Sequence, residues 1–121
     1  MKSLSLRLPF PPSLNRIWRA VKGRVLLSEA AREWKAAAVN SLPRGHIAAP
    51  LEGRLIVTLL LCPPARYGKR KWDIGNREKC LADFLTEQRI WFDDEQIDVW
   101  LIVRGAATDE KGYVDILIQE Y

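Results

Sequence analysis

The run RLIVTLLLC, residues 54 to 62, is apolar at odd and even positions alike. An extended strand turns successive side chains to opposite faces, so a strand written this way suits the centre of a sheet covered on each side. It is far short of the roughly 20 apolar residues that a membrane span needs, and no other run in the chain approaches that length. Pro63 and Pro64 follow it. Neither has a backbone N–H to give to a ladder, so the strand ends there. What the strand delivers at its end is PPARYGKRKW, residues 63 to 72, in which Arg66, Lys69, Arg70 and Lys71 are interleaved with Tyr67 and Trp72 and no acid intervenes.

The remaining segments fall around this strand. Leu4, Leu6 and Leu8 alternate with Ser3, Ser5 and Arg7, the period of a half-buried strand, and prolines at 9, 11 and 12 end it. RVLL at 24 to 27 reads as a short second strand. Ser28 is placed to cap a helix over EAAREWKAAAVN, with Glu29 at its positive end and Trp34 and Ala38 on one face. Pro43 stops that helix, and RGHIAAP is loop, where His46 has no partner that would make it a base. A second helix is expected from Asn76 as its N-cap through REKCLADFLTEQ. Cys80, Leu81, Phe84 and Leu85 form its buried stripe, while Asn76, Lys79 and Asp83 share another face. DVWLIVR at 98 to 104 and YVDILIQE at 113 to 120 close the chain as two strands joined by the turn residues TDEKG. The expected fold is α+β: one small domain over residues 1–121, with two helices and a mixed sheet of about four to five strands.

Apolar residues make up 48% and charged residues 28%, the balance of an ordinary soluble protein. The N-terminal MKSLSLRLPFPP lacks the continuous apolar core and cleavage site of a signal peptide, so a cytoplasmic location is expected. Cys62 and Cys80 have no CxxC spacing and fall in a strand and a helix, which suits buried free thiols. The formal charge of +4 says little alone, but its concentration in residues 63 to 72 does. Such a strip is either a solvated loop or a track that neutralises phosphates while its aromatics pack on sugars or unstacked bases.

Asp73 directly follows the strip, and Asp93 and Asp94 lie past the far end of the second helix. Should Asp73 and Asp94 converge, they would suit Mg²⁺, a hard cation usually held by one or two carboxylates, waters and substrate phosphates. Read without that convergence, Asp73 is a helix N-terminal carboxylate and Asp93 and Asp94 form a turn.

LPFPPSLNRIWR at 8 to 19, VLLSEAAREWK at 25 to 35, KRKWDIGNREKCLADFLTEQRIWFDDEQI at 69 to 97 and the final two strands resemble the RusA family of Holliday junction resolvases from phages and prophages. The resemblance covers essentially the whole chain. It implies a bacterial or phage-encoded homodimer that binds four-way junction DNA and, with Mg²⁺ or Mn²⁺, nicks two opposed strands symmetrically in recombination and repair. No small-molecule cofactor and no membrane are implied. Matched to the family's motifs, Asp73 and Asp94 are the metal-binding, catalytic aspartates and Lys79 is the catalytic lysine. Lys69, Arg70 and Lys71 fall where the family carries a basic run against DNA, Asn76 matches the motif asparagine, and Asn15 and Arg16 match the N-terminal motif; with Arg66 of the strip these are the expected DNA-binding positions. Position 75 departs from the pattern: the family carries a metal-ligating aspartate there, and this chain has Gly75.

Three readings follow in order: a working metal-dependent endonuclease, a junction-binding dimer that cuts slowly or not at all, and a DNA-free structural or partner-binding protein whose basic strip is only surface. Trp91, Phe92 and Trp100 are each expected either in the core or on a dimer face.

Overall fold

β4 (Leu55–Cys62) is an inner strand, but only one of its faces is covered. In the computed structural model, which describes residues 2–13, 18–21, 24–43, 49–108 and 110–121, Leu55, Val57, Leu59 and Leu61 are fully buried while Ile56, Thr58 and Leu60 are half-buried. The expectation of cover on both sides therefore fails. The reason lies in where the helices go: Trp34 and Ala38 of α1 (Glu29–Ser41) and Leu81, Phe84 and Leu85 of α2 (Glu78–Glu87) join the same core cluster as the four buried leucine and valine positions. Each fully buried leucine, valine or phenylalanine side chain among them contributes roughly 1.5–3 kcal/mol. Trp34 meets Phe84 edge to face at 5.2 Å between ring centroids, locking helix to helix over the sheet.

The main sheet has four strands in the order β1-β6-β4-β5, where β1 is Ser3–Pro9, β5 is Ile97–Arg104 and β6 is Tyr113–Glu120. β1 and β4 both pair antiparallel with β6, whereas β4 and β5 run parallel, with Leu61 opposite Arg104. A parallel pair needs a crossover, and the segment containing α2 supplies it. The two closing strands are thus not a hairpin, although a turn-rich segment joins them. Because β5 ends beside the end of β4, the chain has to pass over that end to descend on β4's other side. Three bonds hold the passage: the Gly105 amide donates to the Leu61 carbonyl at 2.8 Å, Thr108 to Pro63 at 2.8 Å, and Ala65 to Glu110 at 3.2 Å. Gly112 makes the final turn at φ +80°, and a Cβ there would stand 2.6 Å from the Pro64 nitrogen.

RVLL is a strand, β3 (Arg24–Leu27), but it lies outside the main sheet in a two-stranded pairing with β2 (Trp18–Val21), which the sequence had not indicated. Asn15, Arg16 and His46 lie outside the described residues.

α1 forms as expected, with the Ser28 hydroxyl accepting from the Ala31 amide at 3.2 Å. α2 begins later than expected. Asn76 is no N-cap: its φ is +65°, a left-handed conformation that asparagine tolerates, and the helix starts only after Arg77. Lys79 and Asp83 do share a helix face, and Asn76 stands outside it. Trp91 is fully buried and donates to the Thr86 hydroxyl at 2.7 Å. Trp100 packs partly against the core, and Phe92 is exposed. Both cysteines are free and buried, and burial pushes the Cys80 thiol up to about 12. No helix among the described residues is long and apolar enough to cross a membrane.

Candidate nucleic-acid interface

At the end of β4 the two prolines lead into a one-turn 3-10 helix, Ala65–Tyr67, and the basic strip wraps a groove of about 730 Å³. Arg66, Arg70, Lys71, Arg77 and Lys111 line this groove together with Asp73, Gly75 and Asn76. Asp73 is exposed. A second groove, of about 540 Å³, shares Arg70, Lys71, Trp72 and Asp73 and adds Arg104. Lys69 is exposed and lines neither groove.

The aromatics of the strip do not stand free for bases. Tyr67 is buried and Trp72 half-buried, and with Phe10 they form an edge-to-face trio with centroids 5.6 to 6.3 Å apart. Guanidiniums sit over their faces: Arg70 over Tyr67 at 4.0 Å, Arg104 over Trp72 at 4.4 Å and Arg77 over Phe10 at 4.7 Å. A ring face attracts a cation and holds it in place, so the arginines are oriented before any ligand arrives. Tyr67 records the field they make. Burial alone would raise its phenol, but Arg77 and Arg70 outweigh that and lower it.

Asp94 is placed by a different device. It opens a one-turn 3-10 helix, Asp94–Gln96, whose cap is Asp93: the Asp93 carboxylate accepts from the Glu95 amide at 2.9 Å. Buried Gln96 clamps the turn. Its carbonyl oxygen accepts from the Phe92 and Asp93 amides at 2.8 and 2.9 Å, and its amide donates to the Leu51 and Gly53 carbonyls at 2.9 and 3.0 Å. The spacing WxDDxQ thus has a physical meaning, with Trp91 in the core, Asp93 as cap, Gln96 as clamp and Asp94 left to face outward. The Glu95 amide holds the Asp93 carboxyl below its ordinary value.

Asp94 meets Lys79. The Lys79 ammonium lies 3.9 Å from the Asp94 carboxylate and 2.8 Å from that of Asp83, one helical turn on. Asp83 chiefly, and Asp94 with it, raise the lysine above its ordinary value against some desolvation. The structure therefore brings Lys79 and Asp94 together, while Asp73 stands in the basic grooves, which Asp94 does not line.

For a divalent ion the donors present are hard carboxylate oxygens and few in number. A Cβ at Gly75 would meet nothing within 4 Å, and among the described residues no group of three or more His, Cys, Asp or Glu side chains is placed to hold a metal. With so few carboxylates, an ion held here would have to keep several of its waters and take further oxygens from a phosphate.

Sequence reasoning missed Arg77, Arg104, Lys111 and Gln96. Arg104 had a findable signal, since it closes an apolar strand, and parallel strands present ligand-binding groups at their carboxyl ends. Arg77 had none, because an arginine at the start of a helix reads as solvated.

The family model described as Endodeoxyribonuclease RusA matches residues 9–119. Curated relatives are similar over nearly their whole length. The "Crossover junction endodeoxyribonuclease RusA" of Shigella sonnei and that of Escherichia coli K12 are each 27% identical over 120 residues, covering 99% of this chain and 97% of the relative. The protein of that name from Enterobacteria phage 82 is 26% identical over 127 residues, with the same coverage.

Proposed function

This chain belongs to the RusA family of endodeoxyribonucleases, and on that premise we propose that it is a Mg²⁺-dependent, structure-specific endonuclease that resolves four-way DNA junctions by paired symmetric nicks. The observation that carries the reading is the groove at the end of β4, where five cationic side chains surround one exposed carboxylate, Asp73. Arg66, Arg70, Lys71 and Lys111 take the phosphates, with Lys69 and Arg104 extending the track and Asn15, Arg16 and Asn76 as further contacts. Asp73 and Asp94 would hold the metal ion, which when bound supplies charge neutralisation at the phosphodiester and a water of lowered pKa. Lys79, kept protonated by Asp83, donates toward the phosphate oxygen on which charge develops. The guanidiniums of Arg70 and Arg104, held over rings, bind without first having to be ordered, which lowers the entropic cost of gripping DNA.

A junction with two-fold symmetry needs two matched incisions, and a homodimer supplies them. The open sheet face offers the surface: Val99, Leu101, Val103 and Leu117 are exposed on it beside half-buried Ile56 and Leu60, a contiguous apolar patch of the kind proteins bury in assembly. The reading places the protein in the cytoplasm of a bacterial cell, whether encoded by the host or by a phage.

The second reading, a dimer that grips junctions and cuts slowly, is favoured by one observation: Gly75 puts no oxygen into the open space beside Asp73. A synthetic four-way junction incubated with Mg²⁺ or Mn²⁺ separates the two. The nuclease reading expects paired nicks that Asp73→Asn and Asp94→Asn abolish while junction mobility shifts persist. A shift without nicks supports the binding module, and nicking equal to wild type in both variants refutes the assigned roles.

A further inference from the structure

Arg77 is an arginine with 6% of its surface exposed, in a segment that belongs to no strand or helix. Three separate pieces of chain meet at its guanidinium. From the segment after β1, the Pro11 carbonyl accepts from Nη1 at 2.7 Å and the Phe10 ring lies 4.7 Å away. From the basic strip come the rings of Tyr67 and Trp72, at 5.9 and 5.6 Å. From the residue of interest itself, the Asp73 carbonyl accepts from Nε at 3.4 Å, the long end of hydrogen bonding.

Placing a cation so deep costs free energy unless its donors and charge are satisfied. Among the described residues two backbone carbonyls and three ring faces contribute to this, in a geometry that suits a planar, forked cation. The Pro11 carbonyl is held ready, because a residue followed by proline is confined to extended conformations. On the other side the chain has little stiffness of its own: Gly75 has no Cβ, and Asn76 is left-handed.

We propose that Arg77 is a positioning residue that couples the Phe10–Pro12 segment to the turn carrying Asp73, so that the carboxylate stands at one place in the basic groove. The coupling is independent of what the groove does; its consequence for nicking rests on the nuclease reading above. Being inside the protein, Arg77 acts through Asp73 and not on DNA.

The test compares wild type with Arg77→Met, which keeps the reach without charge or donors, and Arg77→Lys, which keeps the charge without the fork. The first readout is ¹⁵N relaxation. In Arg77→Met the order parameters of Phe10 and Ser13 are expected to fall together with those of Asp73 to Asn76, from about 0.85 to below about 0.6. Arg77→Lys should lie between, and it carries the test if the methionine variant fails to fold. The second readout splits nicking into kcat and KM: kcat falls by up to about 10²-fold, as for a misplaced reacting group, while KM and the salt dependence of junction binding stay at wild-type values. Loosening confined to residues next to 77, or none, overturns the coupling. A salt slope reduced by about 0.9, the loss of one phosphate contact, would instead make Arg77 a DNA ligand and overturn the proposal. If wild type nicks no junction, the nuclease reading fails, and the relaxation data still decide the coupling.

Discussion

Gly75→Asp adds to the groove a second carboxylate, two residues from Asp73. The backbone accepts it: a Cβ at 75 meets no atom within 4 Å, and the φ of Gly75 lies outside the left-handed range. Folding stability should therefore hold or rise by about 0.4–1 kcal/mol, since replacing glycine reduces the entropy of the unfolded chain. The gain in ion binding follows from charge. Asp73 is exposed and Gly75 half-buried, so surroundings close to bulk water are the appropriate case. A divalent ion about 4 Å from the added carboxylate then gains about 2 kcal/mol, or about thirty-fold in affinity. Diversion of the new carboxylate to Lys71 or Arg70 would offset little, because exposed ion pairs are worth about 0–1 kcal/mol. Mn²⁺ titration by calorimetry, together with the Mg²⁺ concentration giving half-maximal junction nicking, measures the effect twice. Both midpoints should fall by about the same factor of thirty. A folded variant whose midpoints agree with wild type would show that residue 75 lies outside the ion's reach, and would remove Asp73 as the anchor of the site.

Other outcomes test other parts of the reading. Leu101→Glu and Val103→Glu change exposed side chains, so each monomer should lose no more than about 0.5 kcal/mol, yet light scattering should report a monomer in place of a dimer; a persistent dimer would mean that a different face is buried. Lys71→Ala should weaken junction binding and reduce the log–log salt slope by about 0.9, and an unchanged slope would take Lys71 off the DNA track. Because the Cys80 thiol is pushed up to about 12 from an ordinary 9.0, the folded state holds a proton that the unfolded chain releases. Its stabilisation is whole below about pH 9 and is lost as pH climbs from there through about 12. Urea midpoints should decline over that window in wild type more steeply than in Cys80→Ala, and equal declines would contradict the burial assigned to the thiol.

Patterns that depend on neighbours along the chain were legible in the amino-acid order. The alternation in β1, the Ser28 cap and stripe of α1, the apolar stripe of α2 and the ending of β4 at Pro63 each follow from periodicities or backbone chemistry that act over a few residues. So was the concentration of cations at residues 66 to 71. RLIVTLLLC shows where such legibility stops. Its composition demands burial, yet whether the second face meets a helix or remains open depends on where both helices pack, and here they pack on the same side. The same limit hid the insertion of β6 between β1 and β4, since a turn-rich connection says nothing about which strands will pair. It hid Gln96 and Arg77 too. A polar side chain is buried when distant carbonyls and rings converge on it, and for these two the partners include residues 45 and 66 positions away in sequence. Local order determined which residues carry the charges; tertiary packing decided which of them face the groove, because that depends on contacts no short stretch of chain contains.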